Sequence, residues 1–357
     1  MNRKLIHAPY ILSFILLSVF FAFACTAISK ATPTASVSLQ ANILNIAEVQ
    51  PSQTKVEPHA PSQVMIGVTD TVLSKTTADF IRAYHIGGIL LLSRNIQSLA
   101  QLKKLTADIH AINSEIIIAI DQEGGDVSRI AFPGTESTAQ KDISSETDAY
   151  LIARKRAEQL REYGIDMNFS PVVDYITNPD SFLYNRTFQK DPEIITMLAG
   201  AMLRGYEDGG VIPVLKHFPG HTDDSVDTHD SIATVPASKQ ELEKHLVPFK
   251  KIISRFNPPA VMIGGSVYAA FDSLPAALSP TIIQSLLQNE LGFKGMAISD
   301  DLEMDAFSQF SLKDRALRAL EAGCNIIIFS QTKTTQKELG LVLQELTRSE
   351  LWQPAGR

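Results

Sequence analysis

From Val64 onward the chain alternates short, continuous apolar runs with longer amphipathic stretches. The runs are VMIGV from Val64, GILLL from Gly88, IIIAI from Ile116, DMNFS from Asp166, VIPVL from Val211, AVMIG from Ala260, GMAIS from Gly295 and NIIIF from Asn325. Each is about five residues long and apolar on both alternating faces, which predicts strands buried from two sides. Between them, Thr147 to Tyr163 places apolar side chains at three- and four-residue steps and stops at Gly164, and Lys239 to Ile253 and Lys313 to Ala322 behave the same way. The repeating order is helix, often a glycine, strand, polar loop. Eight such units predict an α/β fold, a single closed (β/α)8 or TIM barrel over residues 62–357, with an open doubly wound sheet as the alternative.

The chain upstream has a different pattern. Arg3 and Lys4 precede an apolar stretch from Tyr10 to Cys25 that closes on Ala22-Phe23-Ala24, the layout of a secretory signal peptide over residues 1–24. The stretch is short for a stable span, so a cleaved signal is expected over an uncleaved anchor. Cleavage after Ala24 would expose Cys25 and leave it open as a lipid attachment point tethering the protein to a membrane, although Ala22 stands where bacterial lipoprotein signals usually carry Leu. Residues 25–61 are rich in Ala, Thr, Ser, Pro and Gln without a sustained period and read as a linker. An exported location, periplasmic or extracellular, follows from this reading.

Composition narrows the partners. With 45% apolar and 20% charged positions the chain is ordinary globular material, and a net charge of −7 argues against a surface built for nucleic acid. The two cysteines, Cys25 and Cys324, are too few for a disulfide framework, and the apolar context of Cys324 predicts a buried thiol.

In a (β/α)8 barrel, reactive side chains collect in the loops after the strands. Those loops begin Asp121-Gln-Glu-Gly-Gly, Pro171-Val-Val-Asp174, Lys216-His-Phe-Pro-Gly-His221 and Asp300-Asp301-Leu-Glu303-Met. Any one of these carboxylates could be a loop cap or an ion-pair member. Gathered at one face, they favour a ligand site, because desolvating several carboxylates together is costly without partners. His217 and His221 are four apart, a metal-ligand spacing on a helix, but Pro219-Gly220 between them cannot continue a helix, so no metal is expected.

The strings AIDQEGG, NFSPVVD, NRTFQKDPE, KHFPGHTDDSVDTH and GFKGMAISDDLEM resemble, in order and spacing, the glycoside hydrolase family 3 β-N-acetylglucosaminidases, and the resemblance runs from about Val64 to the C-terminus. It implies a cofactor-free, retaining exo-glycosidase acting on a small saccharide or glycan. Asp300 would be the nucleophile, and Asp227 with His229 the proton-transfer pair, a carboxylate fixing the tautomer of an imidazole that titrates near neutrality. Asp121, Arg186, Lys216 and His217 would grip the sugar, with Asp191 as an alternative, purely structural partner for Arg186. His221 and Arg129 would brace the loops, Asp301 would point away from Asp300, and Glu303 would cap the following helix. Larger β-glucosidases of this family carry a second domain supplying a glutamate donor, which this chain is too short to include, so N-acetylhexosamine from cell-wall or chitin-derived saccharides is the expected substrate and a monomer the expected state.

Several positions depart from the family pattern. Asp126 stands where Arg is customary, Gln189 where Gly follows Phe188, Thr222 and Asp224 flank Asp223 in place of Gly and Thr, and Gly265 replaces a His. They keep open another sugar specificity, or a non-catalytic carbohydrate-binding barrel.

Overall fold

The computed structural model describes residues 63–223, 227–228, 231, 233–349 and 351. The signal peptide, the linker and Cys25 lie outside the described residues. The eight apolar runs form β1 (Val64–Gly67), β2 (Gly88–Leu91), β3 (Ile117–Ile120), β4 (Met167–Asn168), β5 (Ile212–Phe218), β6 (Ala260–Ile263), β7 (Met296–Asp301) and β8 (Ile326–Phe329). They pair in parallel, each with its sequence neighbours, and β8 returns to β1 to close the barrel. The open-sheet alternative is thereby excluded.

Each strand leads into a helix. These are α1 (Lys75–Ala83), α2 (Leu99–His110), α3 (Glu146–Glu162), α4 (Pro192–Asp208) and α5 (Lys239–Phe256), then a π-type helix over Thr281–Glu290, then α6 (Leu312–Ala322) and α7 (Gln336–Leu346). Their starts are written in the sequence: Ser145 caps α3 through the Asp148 amide, and Ser238 and Glu241 form a reciprocal capping box on α5. Helix α5 runs past the expected Ile253 to Phe256 and ends at Asn257, whose left-handed φ of 47° closes it in place of glycine.

Two apolar layers hold the fold. Inside the barrel, Met65, Leu90, Ala119, Met167, Phe169, Val214, Ala260, Met262, Met296, Ile298, Ile326 and Ile328 pack on one another. The opposite strand faces, Ile118, Leu215, Ile263 and Phe329 among them, pack on the helices. Thioether side chains suit an interior whose shape no single branched residue fills. Gly67 at the end of β1 is required by close approach, since a Cβ there would stand 1.9 Å from the Ser330 carbonyl oxygen of the adjacent β8 loop.

The interior layer also sets which side chains look into the mouth. Side chains alternate along a strand, so Asp121, two past Ala119, and Lys216, two past Val214, are the next inward positions above the core. Among the described residues no helix is long and apolar enough to cross a membrane.

Ile298 is fully buried in the interior layer two residues before Asp300. Ile298→Ala should cost about 2–5 kcal/mol through the cavity it leaves, measured by urea denaturation; a loss below about 1 kcal/mol would show that the interior collapses onto the gap.

Candidate active site

Lys216 stands at the centre of the mouth. Its side chain is 1% exposed, and Nζ lies 2.8 Å from Asp121 Oδ1 and 2.6 Å from Glu123 Oε1. Arg186 grips Glu123 with two bonds, Nε to Oε2 at 2.9 Å and Nη2 to Oε1 at 2.8 Å, and Arg129 reaches Asp121 Oδ2 at 3.3 Å. Burial pushes the Asp121 carboxyl up, but Lys216, Arg129 and Arg186 more than offset this and hold it below the ordinary carboxylate range. Glu123 is held low in the same way by Lys216 and Arg186, and Arg186 is raised by Glu123 and Asp121 against its own desolvation. Both acids are therefore ionised at neutral pH, and Arg186 is charged.

Arg186 thus takes Glu123, not Asp191, as its partner. Asp191 accepts from the Glu193 and Ile194 amides and caps α4. Glu123 was legible only as one of several carboxylates in the strand-end loops. Its spacing of two from Asp121, on the short strand Gln122–Gly124, puts both carboxylates on one side, and that was the available signal. The strand is pinned from below: buried Arg156 of α3 donates to the Glu123 carbonyl at 2.7 Å and to the Thr138 carbonyl at 2.8 Å.

A second cluster forms beside it. Asp174 is fully buried and accepts from the backbone amides of His217 (3.0 Å) and His221 (2.7 Å) and lies 2.9 Å and 3.2 Å from their Nδ1 atoms. These contacts place a proton on Nδ1 of both rings. Burial holds the His217 imidazole below its ordinary range despite Asp174, so the ring is neutral at pH 7. A neutral His217 with its proton on Nδ1 offers Nε2 as an acceptor, and Lys216 and Arg186 are charge-assisted donors.

His217 and His221 lie side by side although Pro219-Gly220 interrupts any helix between them. Their ring centroids are 5.1 Å apart, brought together not on a helix face but by the turn at Gly220 (φ 111°). Asp174, His217 and His221 offer ligand atoms within 4.8 Å of one another, the one such group among the described residues. The donors do not fit a cation in this arrangement, because both Nδ1 protons and two backbone amides are directed at the Asp174 oxygens.

Asp300 is the next-to-last residue of β7, where the pairing with β8 shifts register between Ile298 and Asp301, and its Oδ1 accepts the Asp301 amide at 2.9 Å. Such bulges re-aim side chains beside functional sites. Asp301 turns instead to the β8 loop, accepting from the Ser330 amide and hydroxyl. Burial raises its carboxyl to about 6, countered by the Ser330 hydrogen bond and reinforced by Glu303, so it takes up a proton as pH falls through that value. Glu303 does not cap the following helix as expected. It is buried and accepts from the amides of Gln331, Thr332 and Lys333, tying the β7 loop to the β8 loop.

Asp227 is partly buried; His229 lies outside the described residues. Of the departures, Asp126 is exposed at the hairpin tip, and Gln189 adopts φ 54° where glycine would be unstrained. A Cβ on Gly265 would stand 3.0–3.3 Å from Met304, Ala306 and Phe307, so these side chains would have to give by a few tenths of an ångström. Thr222 is buried, Asp223 is partly exposed, and Asp224 lies outside the described residues.

A closed (β/α)8 barrel that collects carboxylates, buried cations and histidines at the carboxyl ends of its strands has the layout of a barrel enzyme. The glycosyl hydrolase family 3 N terminal domain model matches residues 57–352, and the chain belongs to that family of glycoside hydrolases, enzymes of O-glycosyl bonds. A beta-hexosaminidase of Nitrosomonas eutropha is 35% identical over 295 residues, covering 79% of this chain and 84% of that protein. One from Neisseria gonorrhoeae is 38% identical over 285 residues, covering 76% and 79%. Among solved structures, NagZ from Neisseria gonorrhoeae in complex with N-trifluoroacetyl-D-glucosamine aligns with a TM-score of 0.71 at 33% identity, covering 84% of this chain and 88% of that one. The family 3 β-N-acetylglucosaminidase of a Paenibacillus species aligns with a TM-score of 0.73 at 33% identity, covering 82% of this chain but 57% of that one.

The ion cluster makes stability depend on pH in a predictable direction. Asp121 and Glu123 have depressed folded-state pKa values, so their contribution is present above the unfolded-state value, about 4, and is lost as pH falls through the folded one. Lys216→Met leaves two buried carboxylates under-compensated and should cost about 3–5 kcal/mol at pH 7. Their pKa values then rise, so the deficit should shrink by pH 5 in urea denaturation; a deficit independent of pH would mean that Lys216 acts through packing alone.

Proposed function

We propose that the chain is a retaining exo-β-N-acetylglucosaminidase. Asp300 attacks the anomeric carbon to form the covalent glycosyl-enzyme, and His229, oriented by Asp227, protonates the departing oxygen and then deprotonates the attacking water. Asp121, Arg186, Lys216 and His217 hold the sugar hydroxyls and N-acetyl group. The observation that carries the reading is the charge-balanced cluster of Asp121, Lys216, Glu123 and Arg186, with neutral His217 beside it, at the same end of the barrel as Asp300. It offers fixed donors and acceptors without a net field that would demand a charged substrate.

The sugar assignment is supported by the beta-hexosaminidases among the relatives and by the N-acylated glucosamine held by the Neisseria NagZ. We further propose that residues 1–24 direct export, that residues 25–61 link the signal to the barrel, and that Cys25 is a point for lipid attachment. The substrate would then be a cell-wall or chitin-derived saccharide, and the barrel would act as a monomer.

The full-length protein should release 4-nitrophenol from its β-N-acetylglucosaminide in preference to its β-glucoside. Asp300→Ala should abolish turnover, and His229→Ala should reduce it about 10²–10⁴-fold, the range of general acid–base assistance. Preference for the glucoside would keep the mechanism and overturn the sugar; binding of N-acetylglucosamine by folded protein without turnover of either would favour a carbohydrate-binding barrel. Because the Asp174 oxygens are occupied by hydrogen bonds, prolonged EDTA treatment should leave the rate unchanged, and loss restored by Zn²⁺ would assign a metal to that cluster.

A further inference from the structure

Between β5 and α5 runs a long connection that carries Asp227 and His229. It leaves β5 at Phe218, is held at His221 by Asp174, and among the described residues beyond His221 is tied down again at its start, middle and end. Near its start, the Asp223 carboxylate accepts from the Thr177 amide at 2.5 Å, the Thr177 hydroxyl at 2.5 Å and the Asn178 amide at 2.9 Å, all on the loop after β4. In its middle, the Thr228 carbonyl accepts from the Ala306 amide at 3.1 Å, in the segment that follows Asp300. Near its end, Thr234–Val235 pairs with Val267–Tyr268, on the loop after β6.

The middle tie has a topological consequence. Strand β5 neighbours β4 and β6, yet Thr228 reaches the loop of β7, two strands away. Thr228 therefore lies beside the segment that follows Asp300, and it sits between Asp227 and His229 in sequence. One hydrogen bond at Thr228 fixes a point on the connection but not its direction. The direction needs a fixed point upstream as well; His221 is held on Asp174, and Asp223, two residues further on and four before Asp227, carries that attachment closer to the pair through three hydrogen bonds to the loop after β4.

We propose that Asp223 is a positioning residue for proton transfer: its carboxylate anchors the leading end of the β5–α5 connection on Thr177 and Asn178, so that the Asp227–His229 pair meets the departing oxygen. The inference rests on the reading of Asp227 and His229 as the proton-transfer pair. It assigns Asp223 no contact with substrate.

Protonic assistance matters in proportion to the basicity of the leaving group, which separates misplacement of the donor from general damage. In the full-length protein, Asp223→Ala should lower kcat/KM for phenyl β-N-acetylglucosaminide about 10–100-fold, part of the full range of general-acid assistance. The loss should be under about 3-fold for the 2,4-dinitrophenyl glycoside, which departs with little help. Thr177→Val, at an exposed position, removes one of the three bonds and should show the same discrimination at smaller amplitude, so a folding failure of Asp223→Ala does not stop the test. Equal losses on both leaving groups, or none on either, in both variants would overturn the inference. His229→Ala distinguishes the two levels: if it discriminates between leaving groups while the Asp223 and Thr177 variants do not, only the anchor fails. If His229→Ala does not discriminate, the proton-transfer reading fails and the anchor with it.

Discussion

The buried ammonium of Lys216 is the interaction on which the site depends. It is shared between two carboxylates from the β3 loop, Asp121 and Glu123, at 2.8 and 2.6 Å. Withdrawing any of these charges from water is unfavourable by itself, so each is tolerable only with its partners in place. The same requirement recruits Arg186 from the loop before α4, and through it three separate stretches of chain are held at one mouth. The result is a set of donors and acceptors whose geometry is settled before any ligand arrives, the condition under which electrostatic stabilisation is most effective.

Around this centre the structure repeats one device. A carboxylate in or beyond a strand end accepts backbone amides from a neighbouring loop. Asp174 does this for His217 and His221, Asp301 for Ser330, and Glu303 for Gln331 to Lys333. Charged acceptors of amides are stronger than neutral ones, so the loops are fixed without lengthening the strands. The inward-facing residues can then be polar while the scaffold beneath stays apolar, with Ile298 and Ile328 in the layer directly below.

The departures from the family pattern fall outside the central cluster. Asp126 is exposed at a hairpin tip, and Gly265 is packed by Met304, Ala306 and Phe307. Neither removes a partner of Lys216 or Arg186, which is why the charge balance survives them.

The eight strands, the closing of the barrel's order, the helices around Thr147–Tyr163 and Lys313–Ala322, and the gathering of acids after β3, β4, β5 and β7 were all legible in the chain. Each is a local matter: burial on both faces demands continuous apolar runs, and caps such as Ser145 and Ser238 act within a turn. Partner choice was not legible. Arg186 lies five residues from Asp191 and 63 from Glu123, yet pairs with Glu123. Glu303 lies close to the helix it was expected to cap and instead accepts amides 28–30 residues away. His217 and His221 meet on Asp174 through a turn, a pairing that their four-residue spacing, broken by Pro219-Gly220, did not predict. The chain by itself determined which side chains reach the mouth, because strand alternation and loop position are set by short-range sterics and hydrophobic burial. Only the tertiary structure decided which charge meets which, because in a desolvated mouth the nearest counter-charge in space prevails over the nearest in sequence.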